Sequence, residues 1–108
     1  MPHFMRTHQE IDERSLAMHR LIADKLKRDP ALFENVRATL TRWRSTVCPA
    51  SQPYLNEWEL LMQQGMDACL AVAVEDSQRS TALRQSSPFC GVLTEPERLA
   101  FLKTWNTK

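Results

Sequence analysis

Apolar residues recur at helical spacing through most of residues 11–105, and short polar breaks divide them into separate segments. Leu16, Met18, Leu21, Ile22, Ala23 and Leu26 predict a first helix from about Ile11 to Lys27. Glu13, Arg14, Arg20, Asp24 and Lys25 are left for its solvated side. Asp29-Pro30 should end that helix and start the next, with Asp29 as N-cap and Pro30 at the first helical position. Leu32, Phe33, Val36, Leu40 and Trp43 then form one stripe of a second helix reaching about Arg44. Residues 45–50, with Pro49, read as a connection. Ser51 can cap a third helix through Pro53 to Gln64, burying Leu55, Trp58, Leu61 and Met62. Gly65 follows as a left-handed C′ glycine, and Asp67 is placed to cap a nearly all-apolar fourth helix over 68–74. A fifth helix, from Asp76 or Ser77 to about Gln85, is polar except for Ala82 and Leu83, so it is expected on the surface. The last helix, from Glu95 to about Trp105, is expected to bury Leu99, Leu102 and Trp105.

These patterns predict an all-α, single-domain bundle of five to six helices. The short Asp29-Pro30 connection predicts that it is built on an N-terminal antiparallel helical hairpin. A chain of 108 residues holds one core, here over residues 10–108, behind a flexible arm at 1–9. Phe4 and Met5 of that arm are apolar enough to dock on the body or on another chain. Two glycines are too few for a strand-and-turn architecture, although Val72-Ala73-Val74 is the stretch closest to a strand.

The segment Leu83–Thr94, LRQSSPFCGVLT, breaks the helical pattern. Pro88 restricts Ser87 to extended conformations, and Gly91 is a candidate for positive φ. Thr94 and Glu97 form a capping box for the last helix, with Pro96 in its first turn. Phe89, Cys90, Val92 and Leu93 are too apolar for a simple exposed loop. Two readings follow. The segment is a tucked connection that plugs the core, or it is a loop offered to a partner. In the second reading Gln85, Ser86, Ser87, Pro88 and Phe89 would make the contacts.

Composition narrows the chemistry. With 43% apolar and 25% charged residues the chain has the balance of a globular protein, and a net charge of +1 gives no global pull toward nucleic acid or anionic membrane. Cys48, Cys69 and Cys90 contain no CxxC pair, so reduced thiols in a cytoplasmic protein are expected. The N-terminus lacks the apolar core of a secretory signal, and residues 68–74 are too short to span a bilayer. His3, His8 and His19 lack metal-ligand spacing, so no metal or cofactor is expected. His19 and Cys90 are the nearest approach to catalytic groups. Neither has a partner set legible in the sequence, so a non-enzyme is expected. Arg37, Thr41 and Arg44 share one side of the second helix and support an alternative reading as a small DNA-binding regulator.

Three blocks carry a resemblance: ERSLAMHRLIADKLKRDPALFENVRATLTRW at 13–43, LNEWELLM at 55–62 and LRQSSPFCGVLTEPERLAFL at 83–102. The chain resembles a group of small helical bacterial proteins of unassigned function, often encoded beside toxin-like or nucleotidyltransferase-like genes. The resemblance implies an antitoxin-like interaction module that binds and neutralises a second protein, encoded nearby. It carries no catalytic residue with it. Antitoxins that also regulate transcription carry a recognisable DNA-binding domain, and none is legible here. Another protein is thus the expected partner, with a second copy of this chain as a further option; a membrane is not expected.

Overall fold

A computed structural model describes residues 8–46, 49–89 and 91–106. Residues 1–7 of the arm expected at 1–9, and Cys48 and Cys90, lie outside them, while residues 8 and 9 begin the first helix. Among the described residues six α-helices follow one another: α1 (His8–Arg28), α2 (Phe33–Arg44), α3 (Gln52–Gln64), α4 (Met66–Ala73), α5 (Gln78–Arg84) and α6 (Glu95–Asn106). None of these residues is in a strand, and 68–73 lie within α4 with Val74 as its C-cap. No described helix is long and apolar enough to cross a membrane.

The stripes became the core. Ile22 and Leu26 of α1, Val36 and Leu40 of α2, and Leu55, Trp58, Leu61 and Met62 of α3 are buried together with Cys69 and Leu70 of α4. Among the helices, α1 packs mainly against α4 and α5, and α2 against α3. The expected pairing of α1 with α2 is not among these larger contacts. Asp29 does not cap α2 with its side chain; Pro30–Leu32 form a single 3-10 turn before the α-helix begins. Gly65 ends α3 and opens α4 with φ 118° and ψ 165°. The sign of φ is as expected, but the residue is extended rather than left-handed helical, which lets two helices meet with no intervening loop. Asp67 lies inside the first turn of α4 rather than at its cap.

Two expectations fail for one reason: spacing names a helix, not the neighbours around it. α5 is not a surface helix, because Ser80, Leu83 and Arg84 are buried. α6 buries none of its residues, and Leu99 is 53% exposed. A positive φ is found at Gly65, and a Cβ added at Gly91 would meet nothing within 4 Å.

Candidate functional site

The segment after α5 is held from several directions. Trp58 is fully buried and donates its indole N–H to the Leu83 carbonyl at 3.0 Å. The Phe89 ring meets Trp58 edge-on at 5.3 Å and His19 at 6.0 Å. Pro88, Phe89, Val92 and Leu93 are all buried. The tucked-connection reading therefore describes this stretch, and Pro88 and Phe89 present no side chain to a partner.

Arg84 shows why α5 sits inward. Its guanidinium donates to the carbonyls of Ala73 at 3.0 Å and Glu75 at 2.9 Å, and to the Thr81 hydroxyl at 3.2 Å. Those carbonyls lie at the end of α4, which has no helical N–H to offer them. A cation there also meets the negative end of the helix dipole. Ser77 starts α5 by accepting the Ser80 N–H at 3.1 Å, and Glu75 accepts the hydroxyls of Ser77 and Ser80.

His19 lies on the buried stripe of α1 and is 6% exposed. Its Nδ1 is 2.7 Å from the Ser15 carbonyl, which can only accept, so Nδ1 carries the proton. Nε2 then accepts from the Ser87 hydroxyl at 2.7 Å. The same hydroxyl oxygen accepts the Phe89 N–H at 3.2 Å. Burial holds the imidazole pKa below its ordinary value; the Ser15 bond opposes this and the nearby Arg84 charge adds to it. A serine bonded to a neutral, oriented histidine has two elements of an activated nucleophile. Its visible work is mechanical: it fastens α1 to the 84–93 segment. Sequence reading left Ser87 with no structural duty, and this bond spans 68 positions that no local pattern links. A weak signal existed for the histidine, since His19 stands three residues from both Leu16 and Ile22 on one helix face.

Beside this anchor lies a groove. One cavity of about 260 Å³ is lined by Met18, His19, Ile22, Trp43, Arg84, Gln85, Ser86 and Ser87. A second, of about 180 Å³, is lined by Trp43, Ser51, Leu55, Gln85 and Ser86. Trp43, Gln85 and Ser86 thus line both. Gln85 is exposed, and Ser86 and Trp43 are half-buried. The backbone N–H groups of Gln85 and Ser86 bond the carbonyls of Ala82 and Leu83, so the turn is braced while Gln85 extends into solvent.

Arg37 and Arg44 of α2 are committed elsewhere. Arg37 donates to the Met62 carbonyl at 3.2 Å and lies over the Phe33 ring at 5.0 Å. Arg44 pairs with Glu59 of α3 at 3.3 Å. Thr41 is exposed and bonds the Arg37 carbonyl. Arg37 and Arg44 thus brace α2 against α3 rather than forming a free cationic face. Cys69 is fully buried, and burial pushes its thiol up to about 12, which leaves it unreactive. No cluster of potential metal ligands occurs among the described residues.

No family model matches this chain, and neither a curated protein nor a solved structure does.

Proposed function

We propose that the chain is a protein-binding module whose recognition surface is the groove at Trp43, edged by Gln85, Ser86 and Ser87. The observation that carries this reading is the position of Trp43, shared by two adjoining cavities and half-exposed beside free polar groups. A half-exposed tryptophan offers a large rigid apolar wall at low entropic cost, and such residues dominate binding energy at interfaces. Met18 and Ile22 continue that wall. The Gln85 amide and the Ser86 hydroxyl supply directional bonds at its rim. An apolar side chain of the partner enters the groove, and its backbone meets these rim groups. Only Gln85, Ser86 and the outer edge of Ser87 remain from the five contact residues read in the sequence. The resemblance supports an antitoxin-like role, in which the partner is a cytoplasmic protein encoded nearby and docking blocks its activity. The ion pairing of Arg44 and the bonding of Arg37 count against the DNA reading.

The test is co-purification with the untagged product of the adjacent gene, followed by affinity measurement on variants. Trp43→Ala should weaken the complex by more than tenfold, about 1.4 kcal/mol or more. Gln85→Ala with Ser86→Ala should weaken it several-fold at unchanged melting temperature. A complex that forms with unchanged affinity for Trp43→Ala would remove the groove from the interface.

A further inference from the structure

Of the six described α-helices, α6 is the one with no buried residue. At 100° per residue, Glu97, Ala100, Phe101 and Thr104 share one side of it. Those four, facing α1, line a cavity of about 370 Å³. Leu99 and Leu102 fall on the opposite side, with Glu95 and Asn106 at the two ends of their stripe. Leu99 is 53% exposed. The side toward the body carries Ala100 and Phe101 between Glu97 and Thr104, while a second apolar stripe, Leu99 and Leu102, lies on the far side, with Leu99 exposed and Leu102 half-buried. The start of α6 is fixed to the body. Thr94 and Glu97 cap it reciprocally at 2.8 and 3.3 Å, and Lys25 ties Glu97 to α1.

We infer that α6 is a self-association surface, pairing antiparallel with α6 of a second copy across Leu99 and Leu102. The occupant follows from symmetry and charge. A two-fold axis between the leucines sets Leu99 of each copy against Leu102 of the other, so one stripe is its own complement. Glu95 stands at the N-terminal end and Lys103 near the C-terminal end. Antiparallel pairing brings each Glu95 toward the other copy's Lys103 and opposes the helix dipoles; parallel pairing would set like against like. Glu95 meets only Arg98 of its own helix and is 66% exposed, so it is accessible to a second cation. Helices of 12 residues give a small interface, and a weak, concentration-dependent dimer is expected.

Sedimentation velocity on the full chain, from about 1 to 500 μM, reads this directly. The wild type should shift with concentration toward twice the 12.5 kDa chain mass. Leu99→Glu, at an exposed position, should keep the helical circular dichroism signal and stay monomeric throughout. Lys103→Glu should weaken the dimer about three- to tenfold at low salt. Adding Glu95→Lys to that variant should restore it. A wild-type chain that stays monomeric to the top of the range would overturn the proposal. So would a dimer indifferent to Leu99→Glu. A double charge exchange that fails to recover association would overturn the antiparallel register.

Discussion

The segment between α5 and α6 and the helix α6 itself are neighbours in sequence and opposites in structure. None of the described residues within 85–94 is helical, yet Pro88, Phe89, Val92 and Leu93 are buried and Phe89 reaches Trp58 at the centre of the core. α6 is a regular helix with a capped start, yet none of its residues is buried. Regularity and core membership are therefore separate properties. Backbone hydrogen bonding shapes α6, whereas side-chain packing and a few long-range bonds shape the segment before it. Stability should reside in the irregular stretch rather than in the helix that follows.

The largest effect that could break this contrast comes from truncating apolar side chains on each side of it. Phe89→Ala or Trp58→Ala should cost about 3–5 kcal/mol, because each leaves a cavity in a closed core. Leu99→Ala, on α6, should change stability by no more than about 0.5 kcal/mol in dilute, monomeric protein. Urea unfolding monitored by circular dichroism measures both. Comparable losses at Phe89 and Leu99 would mean that the two regions contribute alike.

How much of this was legible follows the same line. The existence and rough limits of all six helices were readable from spacing, as were the buried faces of α2 and α3. Leu99, Leu102 and Trp105 have the spacing of a buried stripe too, and spacing could not say that the body lies on the other side. The apolar content of Phe89, Val92 and Leu93 pointed inward, and the proline and capping box marked the turn and the start of α6. What holds the segment was hidden. The bonds from His19 to Ser87 and from Trp58 to Leu83 join residues 68 and 25 positions apart. Arg84 looked like a solvated charge because its acceptors are carbonyls, which every residue has. The candidate groove inherits both halves of this: Gln85 and Ser86 were nameable from sequence, while Trp43 read as core and became their companion only in three dimensions.

A smaller effect sharpens the comparison from the side of the irregular region. Arg84→Met keeps the apolar stem and removes the cation that closes α4. It should cost about 1–3 kcal/mol, since the buried Ala73 carbonyl and the partly buried Glu75 carbonyl would lose a donor. Hydrogen exchange should rise at the end of α4 and through 84–93 while α6 changes little. Equal acceleration in α6 would show that the two regions unfold as one unit.

The smallest effect separates the regions by pH. His19 fastens the buried segment, and its folded pKa lies below the ordinary 6.5 because burial disfavours the charged ring. As pH falls below that value the unfolded chain binds this proton first. The His19 contribution is thus complete above about pH 6.5 and declines as the solution becomes more acidic. Glu97 fastens α6, and its pKa is held near about 2, against an ordinary 4.5, first by the Lys25 bond and then by the backbone and hydroxyl of Thr94. Its contribution is complete above pH 4.5 and fades as pH falls toward 2, where the folded carboxylate itself is neutralised. Other carboxylates titrate in the same acid range, so the informative quantity is wild type minus variant. His19→Gln should remove a pH dependence that begins near pH 6.5, and Glu97→Gln one that begins near 4.5. Denaturation midpoints measured from pH 8 to 3 supply both differences. The Glu97 difference should be the smaller, because its ion pair is partly exposed and screened by salt. No histidine difference between pH 6.5 and 4 would mean that folding does not lower the His19 pKa, and that the bond to Ser87 does not depend on a neutral ring held by burial. A Glu97 difference larger than that of His19 would mean that the capped, exposed helix is held more firmly than the buried segment, against the comparison from which it was derived.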